Sequence, residues 1–220
     1  MSSLPARSVS APEQGPAAAI RFLATRGYDA TTAEHLADAV GMSRSTFFRR
    51  FGSKEDVIFA DHDTLLTELT ALLAGTAQDP ASAVITGTRR ILDHHLAQAD
   101  TTRLRAEILR ESPALRDREL VIGHRYEQVF AAYLTAHTQL LPWEVLALSA
   151  SIVAIHNATL RHWLRDASWP ASRNLERDLT QLTQRFLRPG ADDSTVMVTV
   201  YRGADAATVL ANVQSALDAQ

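Results

Sequence analysis

Apolar residues recur at helical spacing along most of the chain. After Gly15-Pro16, the side chains Ala19, Ile20, Leu23, Ala24 and Gly27 share one face, which predicts a first helix ending at Gly27-Tyr28-Asp29. Ala33, Leu36, Ala37 and Val40 form the stripe of a second helix, opened by a capping-box pattern of Thr31 and Glu34. The small residues in that stripe let a neighbouring helix approach closely. Gly41 supplies a left-handed turn residue, Met42 a hydrophobic plug and Ser43 a cap. A third short helix follows, anchored by Phe47 and Phe51 at i, i+4. Ser53-Lys54-Glu55-Asp56 is another cap signature. It predicts one long fourth helix through Val57, Ile58, Leu65, Leu66, Leu69, Leu72 and Leu73, broken between Gly75 and Pro80.

Beyond Pro80 the pattern stays helical. Residues 80–99 carry Val84, Ile91, Leu92 and Leu96, residues 101–111 carry Leu104, Ile108 and Leu109, and Ser112-Pro113 is a stop and restart. Residues 114–138 carry Leu120, Val121, Tyr126, Phe130, Tyr133 and Leu134. Residues 143–167 are the most apolar helix and show two apolar lines. One runs Trp143, Leu146, Ala150, Val153, Asn157, Leu160 and Leu164; the other runs Val145, Leu148, Ile152, Ile155, Thr159 and Trp163. Two apolar faces call for burial on two sides, the second against a partner, most simply another copy of the chain. A final amphipathic helix over 175–187 carries Leu175, Leu179, Leu182 and Phe186. The pattern then changes. Pro189-Gly190 reads as a linker, Val196, Val198 and Val200 alternate as in a strand, and residues 205–219 fit one more helix.

These elements predict an all-α fold of about nine helices: an N-terminal three-helix helix-turn-helix domain, a C-terminal helical bundle, and a possible short strand-helix extension. The expected divisions are a flexible arm at 1–14, the helix-turn-helix at 15–60, a bundle at 61–188 and an extension at 189–220.

Composition narrows the function. The chain has 220 residues, 46% apolar and 21% charged, which is globular. It holds no cysteine, which removes thiolate metal sites, cysteine nucleophiles and disulfides, and fits a reducing cytoplasm. No secretory signal is read in the first residues, and no continuous apolar run is read as reaching the ~18 residues that span a bilayer, so no membrane role is expected. The net charge of −3 argues against nucleic acid until its distribution is considered. Arg44, Arg49, Arg50 and Lys54 lie between Ser43 and Lys54 with no acid among them. A local basic patch therefore sits on a short capped helix in an acidic protein.

The stretch GYDATTAEHLADAVGMSRSTFFRRFGSKEDVI resembles the DNA-binding domain of the tetracycline-repressor (TetR) family of bacterial regulators. The match carries the Thr31-Thr32 pair, the turn Ala39-Val40-Gly41-Met42-Ser43, and the helix Thr46-Phe47-Phe48-Arg49-Arg50-Phe51 followed by Ser53-Lys54-Glu55. The resemblance implies a DNA-binding regulator, released from a palindromic operator on double-stranded DNA by an apolar or amphipathic small-molecule effector. It assigns backbone contacts to Thr31, Thr32, Phe48 and Lys54, and base-edge contacts to Arg44, Ser45 and Thr46; Ser43 and Arg49 flank them. Phe48 departs from the family, where tyrosine is common, and lacks the hydroxyl that binds a phosphate. The resemblance also implies a homodimer through 142–167 and 172–187, and an effector pocket among the helices of 57–167. Independently, a helix of this length fits a major groove, and an arginine can bond guanine bidentately.

Within the bundle, polar groups on apolar helices are the expected ligand contacts. His156 and Asn157 interrupt an apolar run, Tyr126, Phe130 and Tyr133 offer an aromatic wall, and Leu66 and Glu107 complete the candidate set. Each has a plainer reading as core packing or, for Glu107 with Arg103, as a surface pair. Adjacent His94-His95 point to different faces, His156 and His162 are six apart, and no HExxH occurs, so no metal and no cofactor is expected. No GxSxG, P-loop or GxGxxG occurs, and no enzyme is expected. The alternative is a helical small-molecule or acyl-thioester binder, or an enzyme, with no DNA role.

Overall fold

A computed structural model describes residues 15–187. The expected arm at 1–14, strand at 196–201 and helix at 205–219 lie outside the described residues. Ten helices occur among those described: α1 (Pro16–Arg26), α2 (Ala33–Ala39), α3 (Arg44–Phe51), α4 (Lys54–Ile58), α5 (Ala60–Gly75), α6 (Pro80–Ala97), α7 (Ala99–Glu111), α8 (Pro113–His137), α9 (Pro142–Arg165) and α10 (Ala171–Phe186). No strand occurs among them.

The tenth helix arises because the predicted fourth helix is two. It breaks at Phe59, whose N–H bonds the Asp56 carbonyl while the His62 N–H bonds the Phe59 carbonyl, a tight turn in place of the α ladder. The break changes the phase of the apolar stripe. Val57 and Ile58 are fully buried on α4, which packs on α1 and α3. Leu65, Leu66, Leu69 and Leu73 are buried on α5, which packs on α6 and α8. Each half faces a different core.

Local chemistry explains the N-terminal elements. The cap of α2 is Thr32, one residue later than expected: its hydroxyl accepts from the His35 N–H at 3.3 Å, and the Thr32 N–H donates to His35 Nδ1 at 3.4 Å. His35, not Glu34, closes the box. At the other end of α2 the Met42 N–H bonds the Ala37 carbonyl and the Gly41 N–H bonds the Asp38 carbonyl. That paired pattern requires a left-handed residue, and Gly41 sits at φ 69°. Ser43 caps α3, accepting from the Thr46 N–H at 3.2 Å, and Ser53 caps α4. Phe47 is fully buried and its ring centroid lies 5.2 Å from that of Phe51.

In the larger part of the molecule, α9 packs between α8 and α10, and α10 also packs on α6. α9 is long and apolar enough to cross a bilayer, with a mean hydropathy of 1.3 over its most apolar window, which corrects the sequence reading on that point. Its position is that of a core helix: Leu148 and Ile152 are fully buried in the same core as Leu175 and Leu179 of α10. The two apolar lines of α9 do not both wait for a partner. Val153, Asn157, Leu160 and Leu164 of the first line face an internal cavity, while Trp143 and Leu146 at its start are 63% and 66% exposed.

The N-terminal helices join the rest in several ways. α7 packs on α1, α4 runs into α5 at Phe59, and Arg118 of α8 forms an ion pair with Asp56 of α4.

Candidate DNA-reading face and effector cavity

The first turns of α3 stand at the surface. Ser43, Arg44, Ser45, Phe48 and Arg49 are exposed and Thr46 is half-buried. Phe47 and Phe51 point inward and hold the helix down, so the helix offers the opposite side to a partner. Three hydroxyls interlock at its start, with Ser43 Oγ 2.9 Å from Thr46 Oγ1 and 3.2 Å from Ser45 Oγ. Arg44 lies across the surface: its Nε meets Glu34 at 2.9 Å and its guanidinium sits over the Phe48 ring. Phe48, 39% exposed, thus serves as a platform for Arg44 as well as an apolar surface.

Thr32 is exposed, but Thr31 is buried, and its hydroxyl donates to the Gly27 carbonyl at 2.7 Å. As folded, Thr31 braces the turn before α2 and presents no hydroxyl to a phosphate. Lys54 is also engaged internally. Its ammonium lies 3.8 Å from the centre of the Tyr28 ring and donates to the carbonyls of Tyr28 at 2.9 Å and Thr31 at 3.0 Å. An ammonium has three N–H donors, so one remains for a phosphate. The Tyr28 hydroxyl bonds Glu55, and burial together with that carboxylate pushes the phenol above its usual range. These contacts lock the α1–α2 turn to the start of α4.

The second feature is a cavity of about 460 Å³ between α5, α6, α7, α8 and α9. Its apolar wall includes Ile91, Leu109, Ile122, Phe130, Val153 and Leu160. Its polar wall is a row of side chains from four helices. Tyr126 Oη lies 3.1 Å from His62 Nδ1, the His62 and His95 rings are 5.5 Å apart, and those of His95 and His156 are 5.7 Å apart. His156 Nδ1 then meets Asn157 Oδ1 at 3.2 Å. Burial holds all three imidazoles neutral: His62 is lowered to about 4, His95 falls well below its ordinary value, and His156 is lowered despite the bond to Asn157.

Behind this row Arg105, 7% exposed, donates from Nη2 to Asp61 Oδ2 at 2.7 Å. His94 Nε2 lies 3.5 Å from the same oxygen. Burial pushes the Asp61 carboxyl up, but His94 and Arg105 overcome it and hold it well below the usual carboxylate range. Glu119 behaves oppositely: burial raises it against the pull of Arg161. Arg110, Arg116, Arg161 and Arg165 complete the α7, α8 and α9 sides of the lining.

Residues 17–60 match the family model described as bacterial regulatory proteins, tetR family. These residues are a DNA-binding domain of the TetR type. A Mycobacterium tuberculosis protein named as the mycofactocin biosynthesis transcriptional regulator MftR is 23% identical over 166 residues, covering 68% of this chain and 78% of its own length. Among solved structures, Thermus thermophilus FadR in complex with lauroyl-CoA is 18% identical with a TM-score of 0.56, covering 86% of this chain and 97% of that one. Bacillus subtilis FadR in complex with stearoyl-CoA is 17% identical with a TM-score of 0.55, covering 76% and 95%. At these identities the two solved structures establish a shared fold.

The ligand candidates read from the sequence divide. Tyr126, Phe130, His156 and Asn157 do come together in the cavity. Leu66 does not; it lines a separate, shallower groove with Thr70 and Tyr133. Glu107 is exposed on α7, outside the cavity lining, because the next turn of α7 turns Arg105 and Leu109 inward instead. Nor does it pair with Arg103, which meets Asp100 at 3.5 Å and covers the Trp163 ring. The sequence reading missed His62, His95 and Arg105. His62 and His95 sit on helices whose stripes read as ordinary core, and Arg105 looks like one more charge in a polar helix; only their meeting across helices makes a polar wall. Among the described residues, no set of three His, Cys, Asp or Glu groups converges as metal ligands would.

Proposed function

We propose that this regulator is a homodimeric cytoplasmic repressor that reads a near-palindromic operator through Ser43, Arg44, Ser45, Thr46 and Arg49, and leaves it when a small apolar or amphipathic effector fills the cavity. The observation that supports this most is the joint at Phe59. This residue ends α4 of the DNA-binding domain, begins α5, is 5% exposed, and lines the cavity. A ligand that displaces the cavity wall therefore acts on a residue inside the connection. The Arg118–Asp56 pair gives a parallel route, since Arg118 lies between Arg116 and Glu119, which both line the cavity.

In the bound state Arg44 releases Glu34 and reaches a guanine, which is worth roughly 1–3 kcal/mol of discrimination. Thr32, Phe48 and the remaining donor of Lys54 set the register on the backbone. The exposed Trp143 and Leu146 on α9, with α10 beside them, support dimerisation through residues 142–167 and 172–187. The two solved FadR neighbours hold acyl-CoA thioesters. That fits an effector with an apolar body, and the buried, neutral polar wall favours binding over turnover; TetR-family regulators are generally non-enzymatic. For release, the effector must prefer the DNA-incompetent state, and about 5.5 kcal/mol of preference would reverse a 99:1 population.

The test is a gel shift with duplexes tiling the region upstream of the regulator's own gene, followed by Arg44→Ala on the matched duplex. The expected result is a specific shift, with Arg44→Ala losing about tenfold or more on the matched site and little on unrelated duplex. Equal losses on both would remove Arg44 from sequence reading. A ligand that binds the cavity and leaves operator affinity unchanged would refute the coupling.

A further inference from the structure

In the polar wall of the cavity, and at Asp61 behind it, the fold leaves atoms without partners. His156 Nε2, Arg105 Nε and Asp61 Oδ1 are all buried and accept or donate no hydrogen bond. Most buried polar groups are paired, and each exception asks for an explanation. Their chemistry is specific. His156 Nδ1 faces Asn157 Oδ1 at 3.2 Å; the tautomer that bonds this oxygen carries its proton on Nδ1 and leaves Nε2 as an acceptor. Arg105 Nε is an N–H donor. Both residues line the same cavity.

The charge at the Arg105 end of this wall is already balanced. The Arg105 guanidinium is held by the Asp61 carboxylate at 2.7 Å. The neighbouring imidazoles of His62, His95 and His156 are neutral because they are buried. An anionic group placed beside Arg105 meets a guanidinium already held by Asp61 and lies close to that carboxylate, so its desolvation is poorly compensated there; Arg110, Arg116, Arg161 and Arg165 line other parts of the cavity, and Arg161 also acts on His156. A group that both donates and accepts, and carries no charge, meets what the wall lacks.

We infer that the inner wall of the cavity selects an uncharged hydroxyl group on an otherwise apolar molecule, an alcohol or a phenol, with the O–H donated to His156 Nε2. This rests on the reading of the cavity as the effector site and names the chemical class of what it takes. The apolar wall of Ile122, Phe130 and Val153 receives the body of such a molecule, and the His156 side of α9 receives its hydroxyl. Discrimination comes from the hydrogen bond: a matched ligand satisfies a buried acceptor, and its deoxy analogue leaves it bare.

Three probes with one body separate the possibilities: 2-naphthol, 2-methylnaphthalene and 2-naphthoate, titrated calorimetrically into the full-length protein at neutral pH. The expected order places 2-naphthol about tenfold or more ahead of each of the others. His156→Phe abolishes the preference over 2-methylnaphthalene, while His156→Gln, which keeps an acceptor, retains part of it. Should His156→Phe fail to fold, 15N NMR of the wild-type histidines gives the same answer: the His156 Nε2 resonance moves upfield on adding 2-naphthol and stays in place with 2-methylnaphthalene. Tighter binding of 2-naphthoate, a preference that survives His156→Phe in the folded variant, an unmoved Nε2 resonance, or no binding of any probe overturns the inference. The readout is independent of DNA. If 2-naphthol binds through His156 and operator affinity does not change, the coupling proposed above fails and the hydroxyl site stands.

Discussion

Asp61→Asn isolates the ion pair that ties the start of α5 to α7. The substitution keeps size and hydrogen-bonding capacity and removes one charge. The side chains of Arg105 and Asp61 are 9% and 15% exposed, so solvent offers the stranded guanidinium little relief. Removing one member of such a pair costs about 3–5 kcal/mol, most of it the penalty of an uncompensated buried cation. For a body of this size, each kcal/mol moves the melting temperature by about 2–4 °C, so a drop of roughly 6–20 °C is expected. Urea unfolding followed by circular dichroism measures the loss, and calorimetry supplies the melting temperature. The control is Asp61→Leu with Arg105→Met. Removing both charges leaves none stranded, and the double variant should recover most of the loss, ending within about 2 kcal/mol of the parent. A loss below about 1 kcal/mol for Asp61→Asn would show that water reaches the pair and that it acts as a surface bridge. A double variant no more stable than the single one would show that the charges matter less than the shape of the wall.

Glu34→Gln frees Arg44 from its partner at 2.9 Å, and because the pair is exposed the gain in operator affinity should be no more than about fivefold, read by fluorescence anisotropy; weaker binding would mean that Glu34 positions Arg44 for the groove. Stability should fall as pH drops from 6.5 towards 4. His62 is held near 4 by burial while the unfolded chain titrates near 6.5, so between those values only the unfolded state takes the proton. The loss from His62 is on the order of 3 kcal/mol across that window, with His95 and His156 adding in the same direction; urea midpoints flat from pH 7 to 4.5 would contradict neutral buried imidazoles. Gly87→Ala places a methyl 2.7 Å from Leu69 Cδ1 where α6 meets α5, and overpacking should outweigh the better helix propensity, for a net loss of about 1 kcal/mol in urea unfolding; a gain would show that the two helices can separate freely.

The DNA-reading half was legible residue by residue because its signals are local. A cap, a glycine turn and an i, i+4 aromatic pair each act within one or two turns, and Ser43, Gly41, Phe47 and Phe51 occupy their expected places. The misplacements there are small and instructive. Thr31 and Thr32 exchange roles because either can cap, and only the packing of the preceding turn on Gly27 decides which hydroxyl is buried. The break at Phe59 was invisible because the apolar spacing continues through it; two cores, not two periods, separate α4 from α5. The cavity was half legible. Tyr126, Phe130, His156 and Asn157 stood out as polar or aromatic interruptions on apolar helices. His62, His95 and Arg105 carry no such mark, since nothing in their own helices says that they meet.

What the sequence determined by itself is the set of helices over residues 16–186, bar the break at Phe59, and the basic face that begins at Ser43, because caps, turns and amphipathic stripes depend on neighbours no more than a few positions away. Tertiary structure alone decided what those faces meet. One of the two apolar lines of α9 was expected to meet a partner; the first became, from Val153 onward, the wall of a cavity. A charge on α5 and another on α7, 44 residues apart, became one buried pair. Three histidines from three helices became a neutral row because burial, a property of the assembled core, suppresses their protonation.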